Sequence, residues 1–148
     1  MGLSIKYVNL NRLMAKKKKR KIPARTILRR LHNKADRAIS LYVREITKLE
    51  YNKCAICLKN SVQCCFHFVR RGRKILRWHL PNLVGTCHRC NYIEYRNPDI
   101  SRAWYIRRHG ADRYLALVDR SMQNFEPTPE FLQDVIDTFT KELENLYK

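Results

Sequence analysis

CAIC (residues 54–57) and CHRCN (residues 87–91) are the two stretches of this 148-residue chain that decide its fold. Each holds two cysteines separated by two residues, a spacing that places two thiolates on one tight turn, close enough to share a tetrahedral metal ion. The four thiolates complete a four-cysteine site with the ligands Cys54, Cys57, Cys87 and Cys90. Because such a site leaves no ligand position open, the spacing predicts a structural zinc ion. Free thiols or an iron–sulfur cluster are the alternatives.

The charge of the chain predicts a nucleic-acid partner. With 31 Lys/Arg against 13 Asp/Glu, the formal net charge is +18, and such a field attracts polyanions, nucleic acid first and anionic membranes second. Residues 1–121 hold 29 basic and 7 acidic side chains, whereas residues 122–148 hold 2 and 6. We therefore expect the DNA-facing surface in the first four fifths of the chain. The acidic tail suits packing, dimerisation or a protein contact.

Other features of the composition narrow the class of protein. The 45% of hydrophobic residues is enough for a core. No apolar run is long enough to predict a membrane-spanning helix, and the N-terminus lacks the pattern of a secretory signal. We therefore expect no membrane partner and an intracellular, reducing compartment, where paired cysteines bind metal more readily than they form disulfides.

Two segments precede the first cysteine pair. Residues 1–22 predict a disordered basic arm that binds phosphates when DNA is present, or a nuclear-localisation-like signal. The cations of this arm are Lys16, Lys17, Lys18, Lys19, Arg20 and Lys21. Residues 23–50 predict one long, basic, amphipathic helix, because apolar residues recur at three- and four-residue spacing. Its apolar stripe could pack on its own domain or form a helix–helix seam in a dimer, and the pattern leaves both open.

Residues 51–98 predict a core of two strands and one helix held together by the zinc ion. The strands are expected at residues 63–69 and 74–80, joined by the loop 70–73, and the helix starts with the second cysteine pair at 87–96.

Residues 99–148 predict a helical region. Helices are expected at 99–108 and 111–121, with Gly110 as the C-cap between them. Thr128 is the expected N-cap of a last helix that runs to about residue 147.

Three side chains inside the predicted core suggest chemistry. Phosphodiester hydrolysis needs a base for water, a divalent metal ion on the departing oxygen, and cations on the phosphate. His67 can be the base, because a neutral imidazole accepts a proton near pH 7, and the amide oxygen of Asn91 suits Mg²⁺. The nearby cations, which should also lower the pKa of His67, are Arg70, Arg71, Arg73, Lys74 and Arg77. The alternatives are a packed core histidine, a turn residue at Asn82 and a surface residue at Asn91.

A family resemblance rests on these residues taken together. In chain order they are Cys54-x-x-Cys57, His67, Asn82 and Cys87-x-x-Cys90-Asn91. That order resembles the zinc-bearing His-Me finger (HNH-like) endonucleases in an H–N–N version. Among these it is most similar to the phage recombination endonucleases of the NinG/Rap type, and more distantly to phage endonuclease VII. The likeness covers roughly residues 25–147 and is most specific at the zinc cysteines and the Cys90-Asn91 pair.

The resemblance implies a fold, an activity and a role for each residue. The expected fold class is α+β, a ββα-metal core with a four-cysteine zinc site, flanked by a long N-terminal helix and C-terminal helices. His67 would be the general base, Asn91 the ligand of a catalytic Mg²⁺ or Mn²⁺ ion, and Asn82 the brace of the His67 loop. The activity would be cleavage of branched DNA, such as Holliday junctions or D-loops, by a homodimer. The location would be the host cytoplasm or nucleoid if the protein is phage-encoded.

The chain departs from the family pattern directly before His67. Many relatives have an acidic residue or a histidine there as a second metal ligand, whereas this chain has Phe66. Metal contact would therefore rest on Asn91, water and phosphate oxygens. Two other classes of function stay open: a non-catalytic zinc-containing nucleic-acid-binding protein, and a structural or regulatory partner that uses the long helix and the acidic tail.

Overall fold

One helix of 28 residues contacts both strands and the last helix in the described part of the chain. The computed structural model describes residues 22–148, except for the side chains of Glu94 and Tyr95. It begins with α1 (Ala24–Tyr51), which ends at Asn52 in the left-handed conformation, φ 57°. This confirms the long helix predicted at residues 23–50. Of the predicted basic arm, only Ile22 belongs to the described residues. Its six cations lie outside them.

A two-stranded antiparallel sheet lies against α1. In it β1 (Cys64–His67) pairs with β2 (Leu83–Thr86), and Cys65 stands opposite Gly85. The Gly85 N–H donates to the Thr47 hydroxyl of α1 at 2.9 Å. A Cβ at position 85 would lie only 2.6 Å from the Thr47 side chain. Glycine is therefore what allows β2 to approach the helix this closely.

The prediction of a strand at residues 74–80 is wrong, whereas the strand predicted at 63–69 is confirmed by β1. Residues Lys74–Leu76 form a 3₁₀-helical turn, and a second such turn at Leu80–Asn82 leads into β2. The physical reason is the side chain of Asn82, which is fully buried and donates to the Leu76 carbonyl at 3.1 Å. This hydrogen bond folds the segment back on itself, which an extended strand could not do.

Four further helices follow, and they confirm the helices predicted after the second cysteine pair. They are α2 (His88–Arg96), α3 (Pro98–His109), α4 (Ala111–Arg120) and α5 (Pro129–Asn145). Gly110 separates α3 from α4 with φ 89°, a conformation that favours glycine. The Thr128 hydroxyl accepts a hydrogen bond from the Phe131 N–H at 3.2 Å and caps α5, as its sequence predicted.

The apolar stripe of α1 is covered by its own chain. Both α5 and β2 pack against α1. The buried residues of this core are Ala35, Ile39, Val43, Trp78, Leu83, Leu132, Val135 and Phe139. Packing within the domain is therefore the alternative that the structure supports, and the stripe is no longer an argument for a dimer seam. The homodimer and the predicted segment boundaries stay predictions.

The fold class is mixed α+β, mostly helical with a small two-stranded sheet, as predicted at that level. A second apolar cluster, around buried Leu76, Tyr105 and Leu117, joins α3 and α4 to the loop before β2. None of the helices between residues 22 and 148 is long and apolar enough to span a membrane.

Candidate metal centre and adjoining cleft

Four cysteine sulfurs converge where α1 has ended and α2 begins. The Sγ atoms of Cys54, Cys57, Cys87 and Cys90 all lie within 4.8 Å of one another. A tetrahedral zinc ion with 2.3 Å bonds would hold its sulfurs about 3.8 Å apart, and the Cys57 and Cys87 sulfurs are 3.9 Å apart. The four cysteines therefore form a possible metal-binding site, consistent with a structural zinc ion, as the spacing predicted.

Backbone hydrogen bonds fix the two cysteine turns on the rest of the core. The Ala55 N–H, inside the first turn, donates to the Gly85 carbonyl of β2 at 3.2 Å. In the second turn Cys87 is the N-cap of α2, and its sulfur accepts from the Cys90 N–H at 3.4 Å. Burial raises the pKa of the Cys57 thiol, but hydrogen bonds from the Asn60 and Lys59 backbone outweigh it and lower that pKa to about 6. The pKa of Cys87 is also lowered, whereas burial raises the pKa values of Cys54 and Cys90. Cys57 and Cys87 are therefore the thiols that most readily supply a metal-binding thiolate.

A cleft of about 760 Å³ adjoins the cysteine cluster, and we call it the His67 cleft. His67, at the end of β1, and Asn91, in the first turn of α2, both line it. Arg70, Arg71 and His88 line it as well, and the described residues along its walls include no carboxylate. The cleft is therefore basic, and it brings together one imidazole and one amide that are distant in sequence.

The hydrogen bond of His67 defines which ring nitrogen is free to act. His67 Nε2 lies 3.0 Å from the Arg77 carbonyl oxygen. Because a carbonyl can only accept, Nε2 carries the proton, and Nδ1 holds the lone pair in the neutral ring. Burial lowers the pKa of His67 to about 4, and the charge of Arg71 acts in the same direction. The hydrogen bond to the Arg77 carbonyl raises the pKa, but by less than burial lowers it. The ring is therefore neutral at pH 7.

His67 is expected to remain neutral in the folded protein at about pH 5, where an ordinary histidine is protonated. Its folded pKa lies below the unfolded value of 6.5, so the unfolded state binds more protons between the two values. The neutral ring makes its full contribution to the free energy of unfolding above pH 6.5, and this contribution is lost as the pH falls towards 4. An NMR titration of the ring protons measures the midpoint, and Arg71→Gln should move it upwards. A midpoint near 6.5 in the folded wild type would contradict this expectation.

Asn82 connects the segment after His67 to the loop before β2. Its Oδ1 accepts from the Val69 N–H at 2.7 Å, and its Nδ2 donates to the Val69 carbonyl at 3.0 Å and to the Leu76 carbonyl at 3.1 Å. Asn82 is not one of the described residues that line the His67 cleft. These contacts are those of a brace for the loop, and its importance for catalysis stays a prediction.

Replacing Asn82 with alanine is expected to lower the free energy of unfolding by about 2–4 kcal/mol, because the Val69 N–H and carbonyl lose their partner and the Leu76 carbonyl keeps only the His79 N–H. Urea denaturation followed by circular dichroism measures the loss. Asn91→Ala is the matched control: Asn91 is half-buried on α2, and its removal should cost less than about 1 kcal/mol. Equal losses in the two variants would contradict the bracing role.

Asp36 of α1 supports the segment that holds His67, and it is not among the predicted site residues. Arg77 donates to both Asp36 oxygens, at 2.9 and 2.6 Å. The Trp78 indole N–H donates to the same carboxylate at 3.0 Å, and Arg71 is a further partner. Burial would raise the pKa of Asp36, but hydrogen bonds and charge from Arg77, with help from Arg71, hold it below its ordinary value. A signal was present: Asp36 is the one acidic residue in the sequence from 22 to 44.

The predicted DNA-binding cations after β1 separate into two groups. Arg70 and Arg71 line the His67 cleft, and Arg71 also forms an ion pair with Asp36. Lys74 forms an ion pair with Glu126, and Arg77 pairs with Asp36. Arg73 is exposed in a turn and, like Lys74 and Arg77, is not among the described residues of the cleft walls. Contact of any of these side chains with DNA stays a prediction.

Phe66 and His88 also line the His67 cleft. Phe66 is buried in an apolar cluster with Ala55 and Val84, so the position before His67 offers no metal ligand. His88 is exposed, and its Nδ1 lies 3.1 Å from the Cys64 sulfur. His88 is a rival of His67 for the role of base or ligand, and it lines the same cleft as Asn91.

No family model matches the chain, and neither a curated protein nor a solved structure is significantly similar to it. The resemblance to His-Me finger endonucleases therefore rests on the residues quoted above. What the chain can do therefore depends on the cysteine cluster and the His67 cleft themselves.

Proposed function

We propose that the protein is a structure-selective, Mg²⁺-dependent DNA endonuclease, a zinc-bearing His-Me finger enzyme of the NinG/Rap type. The observation that carries the proposal is the shared cleft, because His67 and Asn91 line the same basic cavity beside the cysteine cluster. A base and a hard oxygen donor in one cleft are what metal-assisted hydrolysis of a phosphodiester needs from a protein.

The order of the elements supports assigning a ββα-metal core to this region. Strand β1 ends at His67, β2 follows, and α2 carries Asn91 in its first turn. One cysteine turn precedes β1 and the other begins α2, so an ion bound to all four thiolates would fix the position of His67 relative to Asn91. Four thiolates leave no open position on zinc, and the proposed role of the ion is therefore structural.

His67 is the proposed general base. Its Nδ1 would take a proton from the attacking water while Nε2 keeps its hydrogen bond to the Arg77 carbonyl. Arg70 and Arg71 would face the negative charge of the phosphate. Attack in line with the bond from phosphorus to O3′ breaks that bond. The departing O3′ takes a proton from water, and the products carry 5′-phosphate and 3′-hydroxyl ends.

The donors of the cleft fit a magnesium ion that binds together with the substrate. Asn91 supplies one amide oxygen, and the described wall residues add no carboxylate. Magnesium usually keeps several waters and uses substrate phosphates as ligands, so Asn91, water and phosphate oxygens could complete its shell. When bound, the ion would neutralise charge on the leaving oxygen. Mn²⁺ could replace it.

DNA is the proposed substrate because the net charge of +18 favours a polyanion. The preference for branched recombination intermediates and the homodimer are proposed on the resemblance alone. A dimer would place two His67 clefts on one junction, so that opposed strands could be cut together. Its interface would have to use a surface other than the stripe of α1 that α5 covers.

A non-catalytic zinc-containing nucleic-acid-binding protein is the second candidate. One observation favours it: Phe66 and the absence of a carboxylate among the described wall residues leave only Asn91 as an oxygen ligand of the type that magnesium prefers. Both candidates share the zinc site and the charge, and they differ in whether the His67 cleft performs chemistry.

A labelled four-way DNA junction tests the proposal, with a linear duplex of the same sequence as the control. In the presence of Mg²⁺ we expect strand cleavage near the branch point, with products that DNA ligase can rejoin because they carry 5′-phosphate ends. Binding without cleavage in either Mg²⁺ or Mn²⁺ would leave the non-catalytic candidate.

A further inference from the structure

A second basic cleft lies between the end of α3, helix α4 and the loop before β2, and we call it the α4 cleft. Its volume is about 580 Å³. Its polar walls are His79, Tyr105, His109, Arg113 and Arg120. No described residue lines both this cleft and the His67 cleft, and the described walls of the α4 cleft include no carboxylate. Nothing in the proposed cleavage reaction uses these groups.

Helix α4 directs two arginines into the same cleft. Arg113, Leu117 and Arg120 recur at spacings of four and three residues, which places them on one face of the helix, and all three line the cleft. Asp112 and Asp119 leave the helix about 100° away from the neighbouring arginines. Neither arginine forms an ion pair with a residue in the described range 22–148. Their charge is therefore available to a ligand.

The polar groups of the cleft form two sets, one around each arginine. Burial lowers the pKa of His79, and the charge of Arg120 lowers it further. Burial lowers the pKa of His109 too, and the charges of Arg108 and Arg113 add to this effect. Burial raises the pKa of the Tyr105 hydroxyl, which Arg113 opposes. The rings of Tyr105 and His109 are 4.7 Å apart. The charge of Arg113 acts on this pair, whereas the charge of Arg120 acts on His79.

The distance between the two sets suits a chain of phosphates better than a single anion. Arg113 and Arg120 are two helical turns apart, which corresponds to a rise of about 10.5 Å along α4. This is longer than one phosphate group, so the two arginines can contact two phosphates of the same strand. Leu80 and Pro81 add apolar area to the wall of the cleft, against which sugars could pack.

We propose that the α4 cleft binds two phosphates of one nucleic-acid strand outside the cleavage site, one at Arg113, His109 and Tyr105 and the other at Arg120 and His79. The identity of the polyanion rests on the proposed function. Helix α3 connects the two sites, because Ser101 lines the His67 cleft and His109 lines the α4 cleft. These residues are about 12 Å apart along the helix. A strand bound in the α4 cleft would therefore be held in a fixed position relative to His67.

The first experiment measures binding of the full-length, zinc-loaded chain to a four-way junction without added magnesium, over a series of salt concentrations. The variant Arg113→Gln/Arg120→Gln is expected to bind at least about 10-fold more weakly at 0.1 M salt, with a log–log salt slope reduced by about 2, because two phosphates lose their cations. The matched control, Arg107→Gln/Lys141→Gln, removes the same charge from exposed positions that line neither cleft. Equal losses in both double variants would overturn the proposal.

The second experiment keeps the test valid if the double variant does not fold. In the wild-type protein a twelve-nucleotide single strand should shift the NMR ring signals of both His79 and His109, whereas inorganic phosphate at the same phosphate concentration should shift them far less. Unchanged signals with the oligonucleotide, or equal shifts with free phosphate, would overturn the proposal. Specific binding without junction cleavage would reject the nuclease function and keep the α4 cleft. Cleavage with no difference in binding between the two double variants would keep the nuclease function and reject the α4 cleft as a binding site.

Discussion

Removing the metal ion from the cysteine cluster is expected to unfold the core and abolish cleavage. A structural zinc ion contributes on the order of 10 kcal/mol to folding, which is similar to the whole stability of a typical domain. Here the cluster connects the end of α1, the turn before β1 and the start of α2. Without the ion nothing replaces these bonds, and the net charge of +18 opposes a compact state.

Zinc content, circular dichroism and urea denaturation measure this effect. The purified protein should contain one zinc ion per chain, and the metal-free protein, like Cys57→Ala or Cys87→Ala, should lose its cooperative unfolding transition. Cys65→Ala is the control, because Cys65 packs against the α1 core outside the cluster and should cost less than about 1.5 kcal/mol. A metal-free wild type with an unchanged urea midpoint would contradict a structural zinc site.

The parts of the fold that sequence could predict are those fixed by local chemistry. The repeat of apolar residues from Ile27 to Leu49 is sufficient for one long helix, and Thr128 before Pro129 is sufficient for the start of α5. The two C-x-x-C turns likewise predict that four sulfurs meet. Within each helix, cap or cysteine turn, the residues that decide the structure are neighbours or lie on one face.

The parts that sequence could not predict depend on contacts between distant residues. The stripe of α1 does not say whether α5 or a second chain covers it. Residues 74–80 look extended in sequence, yet Asn82 closes them into turns through a bond to Leu76. The true strand β2 is short and contains Gly85, whose value is visible only when Thr47 lies beside it.

The candidate site likewise combines features that sequence could predict with features that it could not. His67 and Asn91 could be proposed from the residues around the cysteines, but their common cleft depends on the sheet register and on α2. The support for His67 comes from Asp36, which is distant in sequence and holds Arg77 and Trp78. The α4 cleft could not be predicted, because it joins a loop before β2 to two helices that follow it.

Replacing His67 with alanine is expected to reduce junction cleavage by about 100- to 10,000-fold, the usual contribution of a general base. Binding should be nearly unchanged, because the neutral ring contributes no charge and Arg70 and Arg71 remain in the cleft. His88→Ala is the matched control, since His88 lines the same cleft but lacks the bond to the Arg77 carbonyl. Its cleavage rate should fall by less than about 10-fold, because it is not the proposed base.

DNA hydrolysis is the function that we propose for the cleft lined by His67 and Asn91. Its most direct test is the single-turnover cleavage rate of a four-way junction with Mg²⁺, compared between wild type, His67→Ala and His88→Ala at matched binding. The proposal predicts that wild type and His88→Ala cut the junction, whereas His67→Ala binds it and leaves it intact. Equal cleavage by all three proteins, or none by the wild type with any divalent metal ion, would contradict it.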